Sequence, residues 1–312
     1  MKINHLTGLI AAPFTPMDTK GEINFSLIPE YYHFLKQNGV TGAFICGSTG
    51  EGVSITLKEK MLVAEAWAQC TKEDIDFKVM TLLGGTNIVD CKALALHARS
   101  IGLYGVSFTA PFYFKPASVD LLAECCIEIG SVVPDMPFYY YHIPVLNGVG
   151  FAMFDLLQSI GERLPNFAGI KYTHEDFMDY LSCLNYKEGK YDMLWGRDEN
   201  MLAALALGAK GAVGSTFNYA APLYYSIIDA FNNGDLSTAR SLQQQSIDMI
   251  RLLGKYGGIS TGKAYMKLVG IDCGEFRLPV KNMNAEEFTL FSSDVESISF
   301  YEYSSRVQKT II

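Results

Sequence analysis

The chain has 312 residues, of which 49% are hydrophobic and 19% charged, and it carries a net charge of -8 with an isoelectric point near 5.2. An acidic chain argues against nucleic acid and anionic membranes as partners, since both are bound by basic surfaces. No uncharged apolar window of about eighteen residues is present, so the sequence predicts a globular protein without a membrane-spanning segment.

Short apolar runs alternate with amphipathic stretches along most of the chain. The runs predict buried strands at residues 8–12, 42–46, 77–82, 105–109, 137–141, 168–171, 193–195 and 211–214. The stretches that follow them predict helices at residues 26–38, 57–70, 88–101, 118–131, 151–160, 175–185, 198–207 and 221–232. Such alternation is typical of a closed parallel (β/α)8 barrel, or TIM barrel. An open doubly wound sheet is the alternative, which the absence of both nucleotide-binding glycine motifs disfavours.

After residue 232 the pattern becomes purely helical, with helices predicted at residues 237–253, 263–269 and 285–292. We therefore expect a barrel over residues 1–232 and a C-terminal helical appendage over residues 233–312 that packs on it. Helix-end signals accompany the pattern, with Thr56 before the second predicted helix and Asn38-Gly39 after the first.

Cysteine and histidine spacing indicates neither disulfides nor a metal site. The seven cysteines include no C-x-x-C pair and are typical of reduced, mostly buried thiols. The five histidines show neither H-x-H nor H-E-x-x-H spacing, which disfavours a metal-dependent aldolase, and His33 and His97 fit helix faces. The first residues lead into a strand without the apolar segment of a signal peptide, so we expect a cytoplasmic protein.

One predicted strand ends on a lysine, Lys171, and barrel active sites are built at the C-terminal ends of the strands. If Lys171 points inward, the loss of hydration lowers its pKa. A neutral amine can attack a ketone and form a Schiff base. The alternative from this stretch alone is an ordinary lysine that reaches back to water, since lysines are rarely buried.

The ends of other predicted strands also carry polar residues. Residues 47–51, Gly-Ser-Thr-Gly-Glu, form a candidate anion-binding loop, and the alternative is a tight turn that only needs its glycines. Strand alternation places Tyr139 and Tyr141 on one face and Tyr140 on the other. A phenol near a neutral lysine can carry protons, although three core aromatics are equally consistent. Tyr113 follows the fourth strand, where it could reach a subunit contact.

Two further loops follow the seventh and eighth predicted strands. Asp198 and Glu199 could accept hydrogen bonds from a polyol, or they could cap the next helix, where acidic residues are favoured by the dipole. Residues 214–218, Gly-Ser-Thr-Phe-Asn, form a second turn with small hydroxyl residues.

These segments, taken together, resemble the N-acetylneuraminate lyase and dihydrodipicolinate synthase family. The resemblance rests on the order and spacing of residues 47–51, 141–144, 169–171, 196–199 and 214–216, and it covers roughly residues 6–280. It implies a (β/α)8 barrel, commonly a homotetramer, that performs Schiff-base chemistry on pyruvate without a metal or an organic cofactor. With it, the water-exposed reading of Lys171 becomes a minor alternative.

The resemblance implies Lys171 as the Schiff-base lysine and Tyr141 as the proton-relay tyrosine. It implies Tyr113 as a tyrosine that supports the relay, in relatives often across a subunit interface. Residues of the loop after the second strand would hold the carboxylate of the pyruvyl group, namely Ser48 and Thr49 together with Gly50. The positions that hold the sugar chain in the lyase branch are matched by Thr173, Gly196, Asp198, Glu199 and Ser215.

The two branches of the family differ after the tyrosine turn. The synthase branch places an arginine there to bind a second carboxylate, whereas Val145 and Leu146 follow Pro144 in this chain. Asp198 and Glu199 suit a hydroxylated substrate and would repel a dicarboxylate.

We therefore expect reversible aldol cleavage of N-acetylneuraminate, a sialic acid, to N-acetylmannosamine and pyruvate. The alternatives are an aldolase for another 2-keto-3-deoxy sugar acid such as 2-keto-3-deoxygluconate, a dihydrodipicolinate-synthase-like enzyme, and a non-catalytic barrel that binds a sugar acid.

Overall fold

The computed structural model describes residues 3–307. Its eight strands are parallel and close into a barrel in sequence order, because the first strand also pairs with the eighth. The strands are β1 (Gly8–Ala11), β2 (Gly42–Ile45), β3 (Lys78–Leu82), β4 (Gly105–Thr109), β5 (Phe138–His142), β6 (Phe167–Tyr172), β7 (Asp192–Trp195) and β8 (Gly211–Gly214). The prediction of a closed (β/α)8 barrel is confirmed, since the short apolar runs are strands buried on both faces.

Helices connect the strands and surround them. They are α1 (Ile28–Gln37), α2 (Leu57–Thr71), α3 (Ile88–Ser100), α4 (Val119–Gly130), α5 (Pro144–Asn147), α6 (Met153–Ile160), α7 (Phe177–Asn185), α8 (Met201–Leu207) and α9 (Phe217–Asn232). The predicted caps are present: Thr56 and Glu59 form a capping box at the start of α2, and Gly39 follows α1 with a φ of 80°. These local signals fix where the helices begin and end.

The side chains of the strands form two cores. One fills the barrel interior and includes Phe44, Tyr139, Tyr141 and Leu194. The other lies between strands and helices and includes Tyr140. The predicted alternation of the three tyrosines is therefore confirmed, and it delivers the Tyr141 phenol to the interior of the barrel.

Several helices depart from the prediction, two of them at a proline. The short helix α5 follows β5 where only a turn is expected, because Pro144 occupies its first position and Gly148 ends it in the left-handed region. In α9, residues 217–219 form a helical turn that precedes the helix predicted over residues 221–232, and Ala220 between them has non-helical angles and forms a kink. Pro222 lies in the first turn of the helix after this kink, where a proline is tolerated.

Helices also follow the barrel, namely α10 (Leu236–Lys255), α11 (Thr261–Leu268), α12 (Ala285–Ser297) and α13 (Phe300–Tyr303). Helix α12 extends five residues beyond its predicted end at residue 292. The division into a barrel over residues 1–232 and an appendage over residues 233–312 stays a prediction, and residues 308–312 lie outside the described part.

No helix within residues 3–307 combines the length and the hydropathy that a bilayer crossing requires. All seven cysteines are free and five of them are buried, as the spacing predicts.

Candidate active site

Lys171 lies near the C-terminal end of β6 and points into the barrel. The residue is 4% exposed, and its Nζ lies 4.1 Å from the centre of the Phe44 ring and 4.2 Å from that of the Tyr141 ring. Burial lowers the pKa of the amine to about 7, while the negative charge of Asp198 acts in the opposite direction. A substantial fraction of this lysine is therefore neutral, and thus nucleophilic, near pH 7.

Tyr141 faces Lys171 from the neighbouring strand, in register with it. Its ring also meets Phe44 edge-on, so Lys171 is enclosed by two aromatic rings. Burial raises the pKa of the phenol to about 12, and the Ser48 and Thr173 hydroxyls beside it act in the opposite direction. The phenol is therefore protonated at neutral pH and lies among hydroxyl groups, as a proton carrier requires.

The loop after β2 places Ser48 beside the Tyr141 phenol. Thr49 and Gly50 are buried, and the carbonyl of Gly50 accepts a hydrogen bond of 2.6 Å from the Thr15 hydroxyl. An added Cβ on Gly50 would come within 3.0 Å of the Pro13 carbonyl oxygen, so glycine allows the loop to lie close to the chain after β1.

The last residue of this loop, Glu51, anchors it to segments that follow the barrel, and the sequence does not predict these contacts. Glu51 has a φ of 57° and is buried. Its carboxylate accepts hydrogen bonds from Lys263 Nζ at 2.8 Å and from the Arg277 backbone N–H at 2.9 Å. The sequence around Glu51 does not indicate these partners, because they lie more than two hundred residues further along the chain. The loop after β2, the candidate binding site for the carboxylate of a substrate, is therefore held in place by α11 and by the segment after it.

Asp198 begins a 3-10 helix, Asp198–Asn200, but its side chain does not cap that helix. The carboxylate is buried and accepts hydrogen bonds from Thr216, at 2.9 Å from the backbone nitrogen and 2.6 Å from the hydroxyl. Burial raises the pKa of Asp198 to about 6, and these hydrogen bonds and Lys171 act in the opposite direction. Gly214 makes room for this group, because an added Cβ would overlap the carboxylate. Asp198 therefore does not cap its own helix, and its role in holding a sugar stays a prediction.

Glu199 is oriented by an arginine. Its carboxylate lies 3.2 Å from Arg197 Nε, and the same guanidinium donates to Glu175 at 2.6 Å. Asn200 also donates to Glu175, at 2.9 Å. Glu175 follows β6, so this network joins the loops after β6 and β7 at the rim of the barrel.

Thr173 and Gly196 lie against each other at the ends of β6 and β7. The Thr173 backbone N–H continues the pairing of β5 with β6 by donating to the His142 carbonyl at 2.8 Å. An added Cβ on Gly196 would overlap the Thr173 hydroxyl, so glycine is required for this close approach. The Thr173 hydroxyl is buried without a hydrogen-bond partner among residues 3–307. The polar group next to it is the Tyr141 phenol.

Two other predicted residues lie at the margin of this group. Ser215 follows β8 and is half-buried next to Thr216. Tyr113 is 79% exposed and contacts the ring of Phe114 edge-on. Within a single chain Tyr113 therefore lies in solvent, and the structure does not bring it to the enclosed group around Lys171.

The described residues bring together an amine of lowered pKa, a phenol, hydroxyl groups and a buried carboxylate at the C-terminal ends of the strands. Within residues 3–307 no group of three or more His, Cys, Asp or Glu side chains is arranged to hold a metal ion. The arrangement suits imine formation on an enclosed carbonyl compound with proton transfer through the phenol.

Comparison with known proteins places this geometry in a family. Residues 5–298 match the model of the Dihydrodipicolinate synthetase family. The chain belongs to this family.

Among the relatives, the N-acetylneuraminate lyase of Rattus norvegicus is 39% identical over 302 residues, which cover 96% of this chain and 94% of the relative. The solved structure of Proteus mirabilis N-acetylneuraminate lyase superposes with a TM-score of 0.92 at 38% identity, covering 95% of this chain and all of that one. A dihydrodipicolinate synthase from Bacillus anthracis has a TM-score of 0.87 at 25% identity, covering 95% of this chain and 99% of that one. The barrel is thus common to proteins with both names, and the rat and Proteus mirabilis lyases are more similar in sequence to this chain than this synthase is.

Proposed function

We propose that this family member is a Schiff-base (class I) aldolase, a carbon–carbon lyase that cleaves N-acetylneuraminate reversibly to N-acetylmannosamine and pyruvate. The observation that carries the proposal is the enclosed amine of Lys171, with a pKa lowered to about 7, directly beside the Tyr141 ring. Relatives that are 38–39% identical over nearly the whole chain and are named N-acetylneuraminate lyase support the choice of substrate.

In the proposed reaction Lys171 Nζ attacks the C2 ketone of the open-chain sugar acid, and water leaves as the imine forms. The protonated imine withdraws electrons, so the C3–C4 bond breaks as the C4 hydroxyl gives up its proton. Tyr141, with the carboxylate of the substrate, carries that proton. Protonation of the resulting enamine at C3 and hydrolysis of the imine release pyruvate and restore the amine.

Binding of the substrate is assigned to two regions. Ser48 and Thr49, with Gly50 in the same loop, would hold the carboxylate next to the C2 carbon. The sugar chain would run toward the ends of β6, β7 and β8. There it would meet Thr173, Gly196, Asp198, Glu199 and Ser215.

The loop after β5 favours a sugar acid over a dicarboxylate. Val145 and Leu146 on α5 are largely exposed and offer no guanidinium for a second carboxylate. Asp198 and Glu199 add negative charge on the other side of the site, which suits hydroxyl groups. At this position the chain therefore lacks the arginine that would bind the second carboxylate in a dihydrodipicolinate-synthase-like reaction.

The decisive experiment combines turnover with trapping. The purified protein is incubated with N-acetylneuraminate, and pyruvate release is followed by coupling to lactate dehydrogenase. In parallel, borohydride reduction of the imine formed with pyruvate should leave one 1-carboxyethyl group on the protein, seen as an increase in mass, and peptide mapping should place it on Lys171. Lys171→Met should lose both signals, and borohydride without pyruvate is the control.

Three other outcomes would each contradict one part of the proposed function. Trapping retained in Lys171→Met would remove this lysine from the mechanism. Trapping with condensation of pyruvate onto glyceraldehyde but not onto N-acetylmannosamine would indicate an aldolase for a shorter sugar acid. Binding of N-acetylneuraminate without trapping or turnover would indicate a non-catalytic sugar-acid-binding barrel.

We further propose that the chain works as a cytoplasmic homotetramer in which Tyr113 supports the proton relay across a subunit interface. Phe112 and Phe114 are exposed beside Tyr113, and a contiguous aromatic surface of this kind is typical of a protein interface. The seven free cysteines suit a reducing compartment. Light scattering and cell fractionation test the two statements separately.

A further inference from the structure

A chain of buried hydroxyl groups runs from Asp198 to the helices that follow the barrel. The Thr216 hydroxyl lies 2.6 Å from Asp198 Oδ2 and 2.7 Å from the Tyr224 hydroxyl on α9. The Tyr224 hydroxyl in turn lies 2.8 Å from Ser246 Oγ on α10. Thr216, Tyr224 and Ser246 are all buried. No motif in the sequence links these residues, which span three separate segments.

The direction of these hydrogen bonds follows from counting protons. An ionised carboxylate only accepts, so the single proton of the Thr216 hydroxyl is donated to Asp198. The Tyr224 hydroxyl must then donate to Thr216, and Ser246 must donate to Tyr224. A chain of hydroxyl groups that all point the same way polarises each member and strengthens the last bond, the one to the carboxylate.

The hydrogen bonds from Thr216 also determine which carboxylate oxygen of Asp198 is free. The Thr216 backbone N–H and hydroxyl both donate to Oδ2. Among the hydrogen bonds of residues 3–307, none is made to Oδ1. Oδ1 is therefore the oxygen that remains for a hydroxyl group of a ligand.

Helix α10 holds the backbone of the same loop through a second residue. Gln243 Nε2 donates to the Asp198 carbonyl at 3.3 Å, and Gln243 Oε1 accepts from the Leu202 backbone N–H at 2.8 Å. Helix α10 thus contacts the main chain of Asp198 directly through Gln243, and it reaches the Asp198 side chain through Ser246, Tyr224 and Thr216.

We propose that Tyr224 and Ser246 are positioning residues that orient the Asp198 carboxylate toward the sugar chain of the substrate. The proposal rests on the proposed function, since it assigns these residues to the sugar side of that site. They act through Thr216 and do not touch the substrate. Their loss should weaken binding of the sugar and leave imine formation with pyruvate intact.

The test compares two buried tyrosines of α9. Tyr224→Phe removes a hydroxyl of the chain, whereas Tyr219→Phe removes a buried hydroxyl that has no hydrogen-bond partner among residues 3–307. We expect Tyr224→Phe to raise KM for N-acetylneuraminate about tenfold, because a hydrogen bond that orients a charged group is lost. The pyruvate concentration for half-maximal borohydride trapping should stay unchanged in both variants.

Three further variants keep the proposal testable if Tyr224→Phe fails to fold. Ser246→Ala should raise the same KM in the same direction by a smaller factor, and Thr216→Val should raise it while Thr216→Ser retains the wild-type value. If KM for N-acetylneuraminate in Tyr224→Phe and Ser246→Ala equals that in Tyr219→Phe, the positioning role alone is overturned. A wild-type protein that releases no pyruvate from N-acetylneuraminate would overturn the proposed function, and the positioning role with it.

Discussion

At the scale of single residues, the chemistry of this site depends on how burial shifts the pKa values of its basic and acidic side chains. The same dry environment lowers the pKa of Lys171 to about 7 and raises that of Asp198 to about 6. Both shifts oppose the charged form, because a low dielectric penalises any ion. Lys171 and Asp198 partly compensate each other, so the protonation of one affects the other.

The first prediction concerns pH. Imine formation needs the neutral amine of Lys171, whose fraction grows as pH rises through about 7. The initial rate of borohydride trapping with pyruvate should therefore rise about tenfold per unit below that value and level off above it. Quenched-flow trapping across this pH range measures the profile.

A matched variant separates the contribution of Asp198. Asp198→Asn removes the negative charge that raises the pKa of Lys171, so the midpoint of the profile should move to lower pH. A rate that does not change with pH around 7 would mean that the amine is not the titrating group.

The second prediction concerns a glycine. In Gly214→Ala the new methyl group would overlap the Asp198 carboxylate and force it aside. KM for N-acetylneuraminate should rise by about tenfold to about a hundredfold, since small displacements of a binding group are costly. Gly254→Ala on α10 is the control, because its added Cβ meets nothing within 4 Å. Equal KM values in the two variants would count against a role for Asp198 in holding the sugar.

At the scale of elements, the loop after β2 is anchored by an ion pair that is almost completely buried. The side chains of Glu51 and Lys263 are each 2% exposed, and Lys263 also donates to the Glu275 carbonyl at 2.9 Å. A buried pair adds little over an apolar contact, but the loss of one partner strands the other charge. The pair therefore couples the candidate carboxylate loop to α11.

The third prediction follows from this pair. Lys263→Met leaves the Glu51 carboxylate buried without its cation and should lower the free energy of unfolding by about 3–5 kcal/mol. Denaturant titration measures the change. Combining it with Glu51→Gln removes both charges and should recover part of the loss.

The exposed pair of Lys281 and Glu287 provides the control, with Lys281 74% exposed. Lys281→Met should cost no more than about 1 kcal/mol. Similar losses for the two lysines would show that the buried pair has no special role.

At the scale of the whole molecule, the exposed aromatic surface around Tyr113 bears on assembly. Phe114 is 86% exposed at the C-terminal end of the barrel. As a fourth prediction, Phe114→Asp should shift the proposed tetramer to smaller species in light scattering, because a charge is costly in an apolar interface. Pyruvate release should fall with it, since Tyr113 would lose its neighbouring subunit.

The control for this variant is Ile75→Asp. Ile75 is 84% exposed but precedes β3, at the opposite end of the barrel. Its substitution should leave the mass of the particle unchanged. A wild-type protein that is monomeric and active would contradict both the tetramer and the role of Tyr113.

The sequence by itself determined the barrel and the approximate position of the site. Alternating apolar and amphipathic stretches, helix caps and strand-end polar residues are local signals, and the eight strands appear where these signals predict them. The same periodicity placed Tyr141 inside and Tyr140 outside the barrel. Local patterns suffice here because strand alternation and parallel closure leave few arrangements for such a chain.

Only the tertiary structure decided which partners a polar residue has. The sequence allows Asp198 to cap its own helix, whereas its side chain is buried against Thr216, and its contact with a sugar stays a prediction. The partners of Glu51 and of the hydroxyl chain come from segments far along the sequence, where no local spacing records them. The pKa of Lys171 is likewise a property of its surroundings, since desolvation and neighbouring charge exist only once distant strands enclose the amine.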